Sequence, residues 1–121
     1  MYPSSLKTKI TTARLAETRD FYVGCLGMRV VEEFSDEGGV GCILALAEQE
    51  CEAVLEIHEG PQPKDLSGLS LQFRSHDLEA FKTSLPAGTK VRGPVPRPWG
   101  STYLYLTDPN GISVVVFQHG H

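Results

Sequence analysis

In the stretch Leu15-Ala16-Glu17-Thr18-Arg19-Asp20-Phe21-Tyr22-Val23-Gly24-Cys25-Leu26-Gly27-Met28, apolar side chains recur at helical spacing from position 18 to 26, and Gly27 follows at once. A glycine there supplies the left-handed residue that ends a helix, so the spacing predicts a helix over 18–26. Upstream, residues 6–13 (Leu-Lys-Thr-Lys-Ile-Thr-Thr-Ala) are rich in β-branched side chains and alternate weakly, which predicts a strand. Downstream, strand patterns occupy 28–34, 41–47 (Gly-Cys-Ile-Leu-Ala-Leu-Ala) and 53–58 (Ala-Val-Leu-Glu-Ile-His), with a turn at Asp36-Glu37-Gly38-Gly39.

Gly60-Pro61-Gln62-Pro63-Lys64-Asp65 then forbids regular pairing, and the order repeats beyond it. Residues 69–74 read as a strand and 77–85 as a short helix stopped by Pro86-Ala87-Gly88. A short strand is expected at 90–93. A hairpin is expected from 102–107 and 112–117, closed by Asp108-Pro109-Asn110-Gly111. A β-α-β-β-β order thus occurs twice, with Leu15 and Leu78 at the same place before each helix. The expectation is one domain over 1–121: a first module at about 5–59, a linker at 60–67 and a second module at about 68–118.

The chain has 121 residues, 40% of them hydrophobic and 21% charged, as expected of a globular protein able to bury a core. A formal charge of -4 and the lack of any Lys/Arg-rich run argue against nucleic acid as a partner. The first residues, Met1-Tyr2-Pro3-Ser4-Ser5-Leu6-Lys7, have no apolar core of a signal peptide, and no apolar run is long enough to span a bilayer. The expected compartment is the cytoplasm, with no membrane partner. Cys25, Cys42 and Cys51 are widely spaced without a C-x-x-C pair, and are expected to be reduced thiols.

With these elements placed, the chain resembles the glyoxalase/bleomycin-resistance/extradiol-dioxygenase superfamily, also called vicinal oxygen chelate proteins. The stretch from Leu15 to Met28 resembles the family's helix ending in Phe-Tyr and then Leu-Gly. Trp99-Gly100-Ser101-Thr102-Tyr103-Leu104-Tyr105-Leu106-Thr107-Asp108-Pro109-Asn110-Gly111-Ile112 resembles its closing hairpin with an Asp-Pro-x-Gly turn, and Val54-Leu55-Glu56-Ile57-His58 its middle strand. The resemblance implies an α+β fold, in which two βαβββ modules form a curved mixed sheet around a small-molecule cavity. It also implies a homodimer. These signature residues are mostly scaffold: Phe21, Tyr22 and Leu26 pack a helix, and Asp108, Pro109 and Gly111 make a turn.

Family members with metal chemistry typically place one His or Glu on each of four strands. Carried onto this sequence, those positions fall on Lys7, Glu56, Ser70 and Val115. Only Glu56 is a plausible ligand, because an ammonium has no free lone pair and valine has no donor. His76, His119 and His121 are the remaining histidines besides His58. His119 and His121 lie in the last residues, where ends fray, and His76 in the loop entering the second helix. No cofactor is therefore expected, and a divalent metal is the disfavoured reading.

Side chains alternate across a strand. Alternation puts Lys7, Lys9 and Thr11, then Val54, Glu56 and His58, on one face. In the second module it groups Ser70, Gln72 and Arg74, Tyr103, Tyr105 and Thr107, and Ser113, Val115 and Phe117. The complementary set (Leu55, Ile57, Leu69, Leu71, Phe73, Leu104, Leu106, Ile112, Val114, Val116) is almost purely apolar and is expected to face the helices. The polar set either meets solvent or lines the cavity the resemblance implies. Glu56 and His58, about 7 Å apart at their bases, form a candidate acid/base pair, and a Glu56 ion pair with a lysine is the equal alternative. Gly93-Pro94-Val95-Pro96-Arg97-Pro98-Trp99-Gly100 is expected to be a stiff loop. On it, Arg97 could pair with an anionic group, and Trp99 could stack on a flat ligand or anchor the modules.

Three functions follow. The favoured one is a metal-free protein that binds or sequesters a small aromatic or anionic molecule through Lys7, Lys9, Ser70, Gln72, Arg74, Arg97, Trp99, Tyr103, Tyr105 and Phe117. The alternative is a lyase, isomerase or dioxygenase acting on a small organic substrate, through Glu56 and His58 or an atypical metal set. The third is a scaffold without a ligand. The fold name alone does not decide among them.

Overall fold

The computed structural model describes residues 1–47 and 53–120, so Cys51 and His121 lie outside the described residues. Among the described residues, ten elements follow in chain order: β1 (Leu6–Thr12), α1 (Leu15–Gly24), β2 (Arg29–Asp36), β3 (Gly39–Ala45), β4 (Ala53–Glu59), β5 (Ser70–Arg74), α2 (Leu78–Ser84), β6 (Arg92–Pro96), β7 (Ser101–Thr107) and β8 (Ser113–His119). The chain divides into two compact units, Met1–Lys64 and Asp65–His121.

In the first unit the strands run in the order β1-β4-β3-β2. The β1/β4 pair is parallel, with Lys9 opposite Glu56 and Ile10 opposite Ile57; β3 pairs antiparallel with both β4 and β2. Helix α1 packs on β3 and β4. It buries Thr18 and Tyr22, one turn apart on one face, and the Tyr22 ring meets Phe21 edge-on at 5.0 Å. Beneath lie Ile10, Cys42, Leu44, Leu55 and Ile57, all buried. The helix begins three residues before the expected start, and Gly27 beyond it holds φ at 70°, the left-handed value its stop requires. The proline-rich segment is tied back to β1, since the Gln62 side-chain oxygen accepts from the Ala13 amide at 3.0 Å.

The second unit repeats the order as β5-β8-β7-β6, with β5/β8 parallel and the other pairs antiparallel. Each unit is therefore a β-α-β-β-β element string folded into a four-stranded mixed sheet with one helix, an α+β architecture. The Asp77 carboxylate caps α2 by accepting from the Ala80 amide at 3.0 Å. The Gln118 side chain accepts from the Leu78 amide at 2.7 Å, tying the helix to β8. At the β7–β8 turn, buried Asp108 accepts from the amides of Asn110 at 2.8 Å and Ile112 at 2.9 Å, which is why this turn tolerates a buried carboxylate.

Four expectations need correction. Residues 93–96 are not loop: β6 runs through Pro94 and Pro96 to the edge of its sheet. An edge strand tolerates proline because one side needs no amide donor, and a register irregularity between Arg92 and Val95 absorbs the rest. The C-terminal strand does not fray at Phe117, because Ser101 starts β7 and pairs with His119, extending the ladder. Val115, expected on the open polar face, is only 3% exposed. It sits on β8 between β5 and β7, opposite Gln72 on one side and Tyr105 on the other, a central rather than an edge position. Conversely Leu69, expected against a helix, is 36% exposed, since it precedes edge strand β5.

These placements set a stability contrast. Ile57→Ala, at a fully buried position, is expected to cost about 2–5 kcal/mol, whereas Leu69→Ala should cost about 0.5 kcal/mol or less. Urea denaturation midpoints at constant m-value measure both, and equal losses would contradict the face assignment.

Candidate functional site

In the first unit the cross-strand register gathers Lys7, Lys9 and Thr11 of β1 beside Val54, Glu56 and His58 of β4, on the sheet side opposite α1. Lys7 Nζ lies 3.2 Å from Glu56 Oε1, with side-chain exposures of 54% and 15%. The Lys7–Glu56 ion pair is therefore formed, and the mostly covered carboxylate has a cation partner on the neighbouring strand. Lys9, directly opposite Glu56 in register, stands exposed beside it.

His58 is held differently. Its Nδ1 lies 3.2 Å from the Glu59 carbonyl oxygen and its Nε2 3.1 Å from that of Gly38, in the turn between β2 and β3. The Phe34 ring flanks the imidazole at 5.7 Å. Gly39, at φ 124°, lies against the ring so closely that a Cβ there would collide with it. Both ring nitrogens thus face carbonyl oxygens, to one of which a neutral ring donates and to both of which an imidazolium would, and neither nitrogen is turned toward Glu56.

In the second unit the aromatic side chains of β7 and β8 form a connected row. Tyr103 is 5.9 Å from Tyr105, 6.0 Å from Phe117 and 5.7 Å from Trp99, the last edge-on. Phe117 continues the row to His119 at 5.3 Å. Trp99 belongs to a tight turn rather than a long loop: the Gly100 amide donates to the Arg97 carbonyl at 3.0 Å, and the Arg97 amide to the Ser101 carbonyl at 2.8 Å. The turn brings the Trp99 ring back over Tyr103 while leaving the residue 60% exposed. The Arg97 guanidinium lies 4.9 Å from the Trp99 ring centre and 6.0 Å from that of Tyr103. On β5, Ser70, Gln72 and Arg74 are exposed, and the Gln72 amide nitrogen lies 3.5 Å from Ser70 Oγ.

Two members of this face were not counted as site residues from the sequence. Arg92 has its guanidinium 4.0 Å from the Tyr105 ring centre, a placement that depends on β6 being a strand in register with β7. His119 Nδ1 lies 3.3 Å from Ser101 Oγ, a pair visible only once β8 is known to reach its last residues.

The residues at the family's metal positions do not fit a divalent ion. Glu56 is engaged by Lys7, Lys7 and Val115 offer no lone pair, and Val115 is buried. Among the described residues, no group of three or more His, Cys, Asp or Glu side chains could hold a metal ion. Cys42 is a buried thiol whose burial pushes it above the ordinary thiol range, so it is an inert core group rather than a nucleophile. No helix among the described residues is long and apolar enough to cross a membrane.

The ion pair makes a stability prediction. Because Lys7 is half exposed, Glu56→Gln should change folding stability by less than about 1 kcal/mol. A loss of several kcal/mol in chemical denaturation would show that the carboxylate supports more than Lys7.

Comparison with known proteins follows the same geometry. The chain is similar over 98% of its length, at 22% identity and a TM-score of 0.80, to TnmS3, an antibiotic binding protein from Streptomyces sp. CB03234, 98% of which is covered. It is similar at 23% identity and a TM-score of 0.73 to a glyoxalase/bleomycin resistance protein of the same Streptomyces, covering 93% of this chain and 98% of that one. An integron cassette protein from V. cholerae shows 23% identity, a TM-score of 0.71, and coverage of 98% and 97%. At these identities the likeness is one of fold. No curated protein matches the chain by sequence. The family model described as Glyoxalase/Bleomycin resistance protein/Dioxygenase superfamily matches residues 6–116, and with the doubled four-stranded units this chain belongs to that superfamily.

Proposed function

We propose that this chain is a metal-free binding protein that holds or sequesters a small aromatic or acidic molecule without transforming it. The observation that carries this reading is the row of rings Trp99, Tyr103, Tyr105 and Phe117 on the strand face of the second unit. Along the same strands the opposite face is buried hydrocarbon: Leu104, Leu106, Val114 and Val116. A sheet facing only water has no need of four contiguous half-exposed rings, and aromatic rings bind flat molecules with little side-chain entropy to lose. The description of one similar structure as an antibiotic binding protein agrees with this reading.

The enzyme reading is less well supported. Glu56 is neutralised by Lys7, and both His58 nitrogens face carbonyl oxygens, so neither group is placed to exchange a proton with a substrate unless it first leaves its partner. Lyase, isomerase or dioxygenase chemistry would need that rearrangement or donors from elsewhere. Family habit makes a homodimer the expected working form.

Elemental analysis of mildly purified protein should find no stoichiometric zinc, iron, manganese or nickel. About one such ion per chain would overturn the metal-free reading. Trp99 is the only tryptophan. Its fluorescence should change when a bound aromatic acid is titrated in, and Trp99→Ala should weaken that binding by about 1–3 kcal/mol while barely moving the denaturation midpoint. A stability loss of about 3–5 kcal/mol with affinity unchanged would make the residue a structural anchor instead.

A further inference from the structure

The strand face of the second unit carries charge of one sign. By register, Arg74 stands on it from β5 and Arg92 from β6, and Arg97 reaches it from the turn before β7. The other side chains sharing this face, Ser70, Gln72, Tyr103, Tyr105, Thr107, Ser113, Val115, Phe117 and His119, include no carboxylate, although the whole chain has a formal charge of -4. Neither Arg92 nor Arg97 has an ion-pair partner among the described residues, and Arg97 Nε is buried without any hydrogen-bond partner. Both guanidiniums are placed by rings instead, Arg92 over Tyr105 and Arg97 over Trp99.

A guanidinium lying on a ring keeps donors free at its edge, coplanar with whatever stacks beside it. Leaving such a group without an acceptor is unfavourable, and a carboxylate or phenolate at the rim of a flat ligand would supply one in charge-assisted form. We propose that the second unit's strand face is a recognition site for planar aromatic acids: the rings of Tyr103, Tyr105 and Trp99 take the flat body, and Arg92, with Arg97, takes the anionic edge. This rests on the binding reading above and adds the ligand class and its specificity residue. Arg92 selects charge; the rings select flatness.

The test is isothermal titration of the intact protein with naphthalene-2-carboxylate, its neutral isostere naphthalene-2-carboxamide, and non-aromatic cyclohexanecarboxylate. The carboxylate should bind about tenfold or more tighter than the amide, and cyclohexanecarboxylate weaker than either. Arg92 is exposed, so Arg92→Gln should fold with an unchanged melting temperature. It should bring the carboxylate and amide to within about threefold of each other, while Arg92→Lys should retain part of the preference. If the wild type binds both naphthalenes equally, or Arg92→Gln keeps the full preference, the proposal falls and the binding reading stands. If neither naphthalene binds, both fall. Should Arg92→Gln fail to fold, the wild-type carboxylate-to-amide ratio decides alone.

Discussion

Burial of one strand face under one helix is the constraint on which each unit depends. Ile10, Leu44, Leu55 and Ile57 lie beneath Tyr22 in the first unit, and Leu104, Leu106, Val114 and Val116 form the apolar face in the second. Side chains alternate strictly along a strand, so committing one set to the helix commits the other set to the opposite face, and a one-residue slip would exchange them. The chemistry-bearing residues are therefore placed by the core. Lys7, Glu56 and His58 stand where they do because Ile10, Leu55 and Ile57 must be dry; Tyr103 and Tyr105 because Leu104 and Leu106 must be.

The two units use the same architecture for different surfaces. In the first, most of the open face is engaged internally: Glu56 meets Lys7 and His58 is held between carbonyl oxygens of Glu59 and Gly38 against Phe34, with Lys9 exposed beside them. In the second, Arg92 and Arg97 have no ion-pair partner among the described residues and stack on rings. Self-satisfied groups add little toward a ligand, because their desolvation and pairing are already settled in the folded chain. Arginines held by aromatic rings keep their donors for an incoming acceptor, and are pre-positioned so that less entropy is lost on binding. This asymmetry is why the binding account rests on the second unit.

Much of this was legible in the sequence, and what was not has a local physical reason. The helix before Gly27, the Asp108–Gly111 turn and the alternation of 53–58 and 102–107 are short-range signals, and they yield the family and the dry and wet faces. The Lys7–Glu56 pair was within reach because alternation alone put both on one face. Arg92 fell inside the strand expected at 90–93, but its partner Tyr105 was hidden because Pro94 and Pro96 read as loop, and only an edge strand with a register irregularity makes them compatible with pairing. Val115 misled for a different reason: alternation gives the face of a side chain but not its place in the sheet, and β8 lies between β5 and β7. His119 was discounted by its position near the end of the chain, whereas pairing with Ser101 carries the ladder that far.

The most direct test of the proposed binding face is a residue-resolved map. Backbone amide NMR of the uniformly labelled protein, titrated with naphthalene-2-carboxylate, should show shifts concentrated at Arg92, at 97–105 and at 115–119. The amides of α1 and α2 should stay still. Shifts confined to the helices, or to Lys7, Glu56 and His58, would contradict the assignment of binding to the aromatic, arginine-flanked face.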